Sequence, residues 1–201
     1  MSANFLQHGR ITVPVVIFSL LTMCAITGKA QLPVGQPWGW GDNSWGQLGT
    51  ATTGICDLTR RPCSAIPVPG NIQGLIAVSA GAGYTLGLKT DGTVWAWGIN
   101  VFGQLGNGSY DPVGDCLPSC PGHTTPSQVI GLQDVVAVSA GSGFSLALKR
   151  DGSVWGWGWD EGWRLGRIST GTCSGHPCSL VPVQIMGLPK GRRKNKFTDS
   201  V

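Results

Sequence analysis

Residues Thr90–Ser109, TDGTVWAWGINVFGQLGNGS, return sixty positions later as Arg150–Ser169, RDGSVWGWGWDEGWRLGRIS. The match extends upstream, where VSAGAGYTLGLK (78–89) aligns without a gap to VSAGSGFSLALK (138–149). An earlier copy of the later half is PWGWGDNSWGQLG (37–49). Trp40 and Trp97 lie 57 residues apart, and Trp97 and Trp157 lie 60 apart. A unit of that length is long for a solenoid turn but suits one propeller blade with an enlarged loop.

Each unit reads as four short strands: AVSAG, YTLGLK and TVWAWG in turn, then PSQVIGL after the loop. Asp91-Gly92, and again Asp151-Gly152, joins the middle two as a hairpin, since both residue types tolerate positive φ. Helical periodicity is absent after residue 30. Trp95 and Trp97 alternate on one strand, as do Trp155 and Trp157, so each pair shares a face and can fill the gap between stacked sheets. Trp40 is their counterpart in the early copy. A cofactor or light-absorbing use of these indoles is the competing reading. Gly41, Gly49, Gly98, Gly106, Gly158 and Gly166, with Gly103, supply tight turns and close backbone approach.

DGTVWAWGINVFGQLGNG and the preceding VSAGAGYTLGLK resemble the repeat of the regulator of chromosome condensation family, over roughly residues 38–188. The resemblance implies an all-β propeller, usually of about seven blades. This chain holds enough for about two and a half four-stranded blades, an incomplete propeller. Family repeats often carry a histidine where this chain has Tyr84 and Phe144. The third copy replaces Gly103-Gln104 with Trp163-Arg164, which predicts a degenerate turn there. Activity does not follow from the fold. The founding nuclear member is a nucleotide exchange factor for a small GTPase; a plant ultraviolet receptor uses clustered tryptophans, and its GWRHT is missing here. A secreted bacterial inhibitor of β-lactamases is the relevant precedent for architecture and compartment, so the chain reads as an exported, bacterial-type member.

The ends support export. Arg10 precedes an uncharged apolar run, Ile11–Ile26, and Gly28 and Ala30 flank a cleavage point before Gln31, as in a secretory signal. Residues 1–30 are thus expected to be a signal peptide, 31–188 the repeats and 189–201 a basic, disordered tail. The mature chain would be secreted or held in the cell envelope with no stable membrane span. An uncleaved signal, or lipidation at Cys24, is the alternative. The net charge of +4 belongs to these ends, because residues 31–189 carry seven basic and nine acidic side chains. A nucleic-acid groove needs a basic excess along the fold, so nucleic acid is not an expected partner.

Beyond Cys24 the cysteines fall in pairs, Cys56 and Cys63, Cys116 and Cys120, Cys173 and Cys178, each in the loop that follows the QLG segment or its counterpart. Export and an even count predict local disulfides, one per loop. Zinc at CLPSCPGH or CSGHPC, and cross-links between blades, are the rivals; neither stretch supplies four ligands alone.

No catalytic set emerges. Asp91 and Asp151 sit in turns, both histidines of the repeats lie in the cysteine loops, and no nucleophile elbow is present. GAGYTLG and GSGFSLA lead into strands, not helices, so they are not dinucleotide sites. No cofactor or metal is expected. The resulting expectation is a non-catalytic module that recognises a protein or surface ligand through its loops. A truncated remnant of a longer propeller is the alternative, because the repeat pattern departs at Pro189 in mid-blade. A hydrolase acting on carbohydrate or peptide ranks below both. An incomplete propeller also allows self-association.

Overall fold

The computed structural model describes residues 35–55, 61–112, 122–166, 169 and 171–188. All regular structure among them is β, in three antiparallel sheets. The first contains β1 (Trp38–Asp42), β2 (Gly54–Ile55) and β3 (Pro62–Pro69) in the order β1-β3-β2. The second runs β4 (Leu75–Ala80), β5 (Tyr84–Lys89), β6 (Val94–Gly98), β7 (His123–Gln128). The third holds β8 (Val135–Ala140), β9 (Phe144–Lys149), β10 (Val154–Trp159), β11 (Gly171–Cys173) and β12 (His176–Ile185), ordered β11-β12-β10-β9-β8. The second sheet is thus the four-stranded blade the repeat predicts. The third adds β11 at its edge, and the first presents only the last two blade strands plus the short β2. The outer strand of the second blade begins earlier than PSQVIGL suggests, at His123, because Gly98 pairs with it there.

The hairpins differ from the expectation in one respect. Only the glycine of each Asp-Gly pair has positive φ, Gly92 at 79° and Gly152 at 86°. Lys89 N bonds Thr93 O at 3.0 Å and Gly92 N bonds Lys89 O at 3.0 Å, which makes a three-residue loop closed by a glycine bulge. The Asp91 carboxylate braces the same turn. It accepts from Thr93 N at 2.9 Å and from the Thr93 hydroxyl at 2.6 Å. That hydroxyl bond is the main reason its pKa falls below the usual carboxylate value. Asp151 and Ser153 repeat both contacts.

Alternation along the strands explains how the sheets stack. Tyr84, Leu86 and Leu88 point from β5 toward the third blade, and all three are buried. With Val94, Ala96, Leu105, Val129, Leu132, Val135, Ala147 and Trp157 they form the main apolar cluster. Ile72, Leu75 and Trp97 form a smaller one. Burial of this kind contributes about 25 cal/mol for each Å² of apolar surface removed from water. The sheets are therefore blades, held together largely across their faces.

Candidate interaction rim

In each blade the last two strands are joined by a long loop, and all three loops leave the same end of their sheets. Each begins with one turn of shared design. Asn43 Oδ1 accepts from Leu48 N at 3.0 Å, Asn100 Oδ1 from Leu105 N at 3.0 Å, and Asp160 Oδ1 from Leu165 N at 2.8 Å. The same side chains reach the far limb of the loop. Asn43 Nδ2 donates to Thr50 O, Asn100 Nδ2 to Ser109 O, and Asp160 Oδ2 accepts from Ser169 N and its hydroxyl. All three are buried, so these bonds satisfy groups that water cannot reach.

The turn also fastens one blade to the next. Gln47 O accepts from Trp97 Nε1 and the Thr85 hydroxyl, each at 2.9 Å. One unit later Gln104 O accepts from Trp157 Nε1 and the Ser145 hydroxyl, again at 2.9 Å. Trp97 and Trp157 are therefore structural, each buried and hydrogen-bonded to the preceding blade. Trp95 and Trp155 lie on the same face as their partners and are half-buried under Lys89 and Lys149 ammonium groups, at 4.3 and 5.6 Å from the ring centres. The Tyr84 hydroxyl crosses the interface too. It donates to Phe144 O, accepts from Gly141 N at 3.1 Å and lies 3.0 Å from the Ser145 hydroxyl. Burial pushes its pKa from 10.0 up to about 12, against the smaller opposing pull of these last two bonds.

The third turn is not degenerate, contrary to the sequence expectation. Trp163 N bonds Asp160 O at 2.9 Å and Gly166 N bonds Trp163 O at 2.9 Å, as Gly103 N and Gly106 N do in the second. Arg164 loses the glutamine's bond to the turn backbone, seen as Phe102 N to Gln104 Oε1 at 2.8 Å, but finds other partners. Its Nη1 donates to Glu161 O at 2.6 Å, and the guanidinium lies 3.9 Å from the Trp159 ring centre. Phe102 stacks on Trp159 at 4.8 Å, and His176 meets both rings edge-on. His176 Nδ1 lies 3.3 Å from a Glu161 carboxylate oxygen. The buried Trp159 Nε1 has no hydrogen-bond partner among the described residues. This cluster of Phe102, Trp159, Glu161, Arg164 and His176 joins the turns of two blades at the rim.

Cys173 and Cys178 form a disulfide with Cα atoms 5.8 Å apart, linking β11 to β12. With both sulfurs oxidised, CSGHPC has no thiolate to offer zinc. Cys63 is also disulfide-bonded and occupies the counterpart of Cys178, since Cys63 pairs with Asp42 and Cys178 with Trp159. Cys56, Cys116 and Cys120 lie outside the described residues, as do residues 1–30 and 189–201. Among the described residues no three histidine, cysteine or acidic side chains are grouped to hold a metal. No helix among them is long and apolar enough to cross a membrane. His123 Nε2 pairs with Asp111 at 3.1 Å. A shallow cavity of about 200 Å³ beside β12 is lined by Ser169, Gly171, Thr172, Ser179 and Leu180 among others, and presents no acid–base pair.

Stacked antiparallel blades, each fastened to the last through a loop turn, define a β-propeller built from repeats. The family model of the Regulator of chromosome condensation (RCC1) repeat matches residues 35–88, 91–148 and 151–199, and the chain belongs to that family. It is 34% identical over 167 residues to human E3 ubiquitin-protein ligase HERC2, covering 80% of this chain but 3% of that protein. It is 29% identical over 174 residues to human RCC2, covering 81% of this chain and 30% of RCC2. Among solved structures, yeast RCC1 (Prp20) bound to Kap60 matches with a TM-score of 0.55 at 23% identity, over 78% of this chain and 34% of that one. Human WBSCR16 matches with a TM-score of 0.56 at 22% identity, over 78% and 36%. The chain thus spans about a third or less of each relative.

Proposed function

We propose that the chain is an exported, non-catalytic interaction module that recognises a protein through the rim formed by its three long loops. The observation that carries this reading is the Phe102–Trp159–Arg164–His176 cluster. It places aromatic and guanidinium groups, the side chains enriched at binding hot spots, across two blades at the loop end. The rim's charges are mixed, with an Asp111–His123 pair on the second blade and Glu161, Arg164 and His176 on the third, which suits a protein surface better than a polyanion. One relative, seen in two solved structures, supports a protein partner by analogy: yeast RCC1 (Prp20) is bound to Kap60 in one, and the other concerns its binding to Gsp1p and histones. Disulfides in the loops, with removal of residues 1–30 before Gln31, belong to the same reading of an exported protein.

The test is saturable binding by the immobilised full chain to extracellular or envelope extract, repeated with Arg164→Ala and His176→Ala together. The expected result is one partner retained by the native chain, with retention falling at least about tenfold in the double variant. Retention unchanged by the double substitution, or no saturable partner at all, overturns the reading. Hydrolytic activity lost on replacing a single acidic side chain would replace it with an enzymatic one.

A further inference from the structure

Gly46 and Gly103 hold the same place in the first two rim turns, at φ 74° and 73°. A Cβ added at Gly46 would stand 2.8 Å from Thr124 N and 2.9 Å from the His123 carbonyl carbon. One added at Gly103 would stand 2.7 Å from Leu180 Cδ2 and 3.2 Å from Leu180 Cα. Thr124 and Leu180 belong to β7 and β12, the fourth blade strands of the following blades. The missing side chain is what lets each blade's fourth strand settle on the turn before it. At the third turn this place is taken by Trp163, with φ 60° and 74% of its surface exposed. Its turn bonds match those of Gly103, so its Cβ projects where the glycines leave room. A bulky residue is strained in that backbone region, and such an outlier is grounds for asking what it does.

We propose that Trp163 is a steric stop on the forward face of the third blade. It bars the first blade of a second copy of this chain from stacking there as the second and third blades stack on their predecessors. The chain otherwise carries both halves of such a contact. Phe144, Leu146 and Leu148 are the counterparts of Tyr84, Leu86 and Leu88, yet they are partly or largely exposed where the latter are buried. Trp40, half-buried on the first blade, is the counterpart of Trp97 and Trp157, whose indoles bond the preceding turn. Head-to-tail stacking would bring Trp40 to the Arg164 carbonyl. By the strand register it would also set Ala65, the counterpart of Thr124 and Leu180, onto Trp163. A contact of this heterologous kind repeats into rings or open filaments. Trp163 thus opposes self-association of this chain through the forward face of its third blade.

Sedimentation of the full chain over a concentration series tests the stop. The native chain is expected to stay monomeric. Trp163→Gly, which restores the residue of the other two turns, is expected to raise the weight-average mass about twofold or more. Adding Trp40→Arg should return it to the monomer. Trp163→Asn tolerates the left-handed backbone but keeps a Cβ, so it should remain monomeric. Loss of an exposed indole would ordinarily reduce association, so a rise with glycine is specific to the stop. The proposal is overturned if Trp163→Gly stays monomeric or unfolds, or if Trp163→Asn associates as glycine does. It is equally overturned if Trp40→Arg fails to reverse the association, or lowers the mass of a native chain already assembled.

Discussion

Tyr84 shows how much one side chain can carry between two sheets. Its ring belongs to the core of the second blade and its hydroxyl to the backbone of the third. Tyr84→Phe keeps the ring and removes the hydroxyl's bonds, while Gly141 N and Phe144 O keep their 2.8 Å bond to each other, so a loss of about 0.5–1.5 kcal/mol in denaturant unfolding is expected. The same residue sets an alkaline limit. Its folded pKa is raised from 10.0 to about 12, so the folded state holds the proton longer than the unfolded state does. That contribution is fully present below about pH 10 and fades as pH climbs toward 12, on the order of 2–3 kcal/mol in all. Urea titrations at stepped pH should show the native chain losing more stability across this window than Tyr84→Phe. Asn100 makes a second residue-scale case. It is fully buried and braces both limbs of its loop, so Asn100→Ala should cost about 2–3 kcal/mol, read as a lower midpoint without a changed slope.

Among the elements, the loops distinguish this chain from a bare stack of hairpins. The Cys173–Cys178 bridge closes a short excursion between β11 and β12. Cys173→Ser with Cys178→Ser is expected to cost roughly 2 kcal/mol in the chain-entropy view, and to loosen β11 while leaving β8–β10 protected from hydrogen exchange. Peptide mapping without reductant should recover Cys56 linked to Cys63 and Cys116 linked to Cys120. A peptide joining two different loops would contradict the local pattern. The blade strands were legible because β-branched and aromatic runs recur in register around Asp-Gly, and periodicity needs no tertiary information. The rim was less legible. Asn43, Asn100 and Asp160 recur at one position of the unit, a signal that was present but masked by the change of residue type at the third. The working atoms of Gln47 and Gln104 are backbone carbonyls, which no side-chain pattern advertises. Trp159 meets Phe102 across a blade boundary, and only the stacking of sheets brings them together.

At the scale of the molecule, stability should follow position in the stack. The second blade is covered on both faces, whereas the first and third are covered by described residues on one. Repeat proteins gain much of their stability from neighbour contacts, so amide exchange is expected to be slowest in β5 and β6 and faster in β1 and β3. Equal protection in all three sheets would show that the blades unfold as one unit. The fastening between blades has one more consequence. The Gln47 and Gln104 carbonyls capture the indole and hydroxyl that stand one unit further along the chain, not those of their own blade. A duplication or loss of one whole unit ahead of the third blade would leave every such pair matched. A gain or loss of half a unit would leave a carbonyl facing the wrong strand. Blades can therefore be gained or lost without breaking these pairs only as whole units, although the units themselves differ in length, 57 residues against 60.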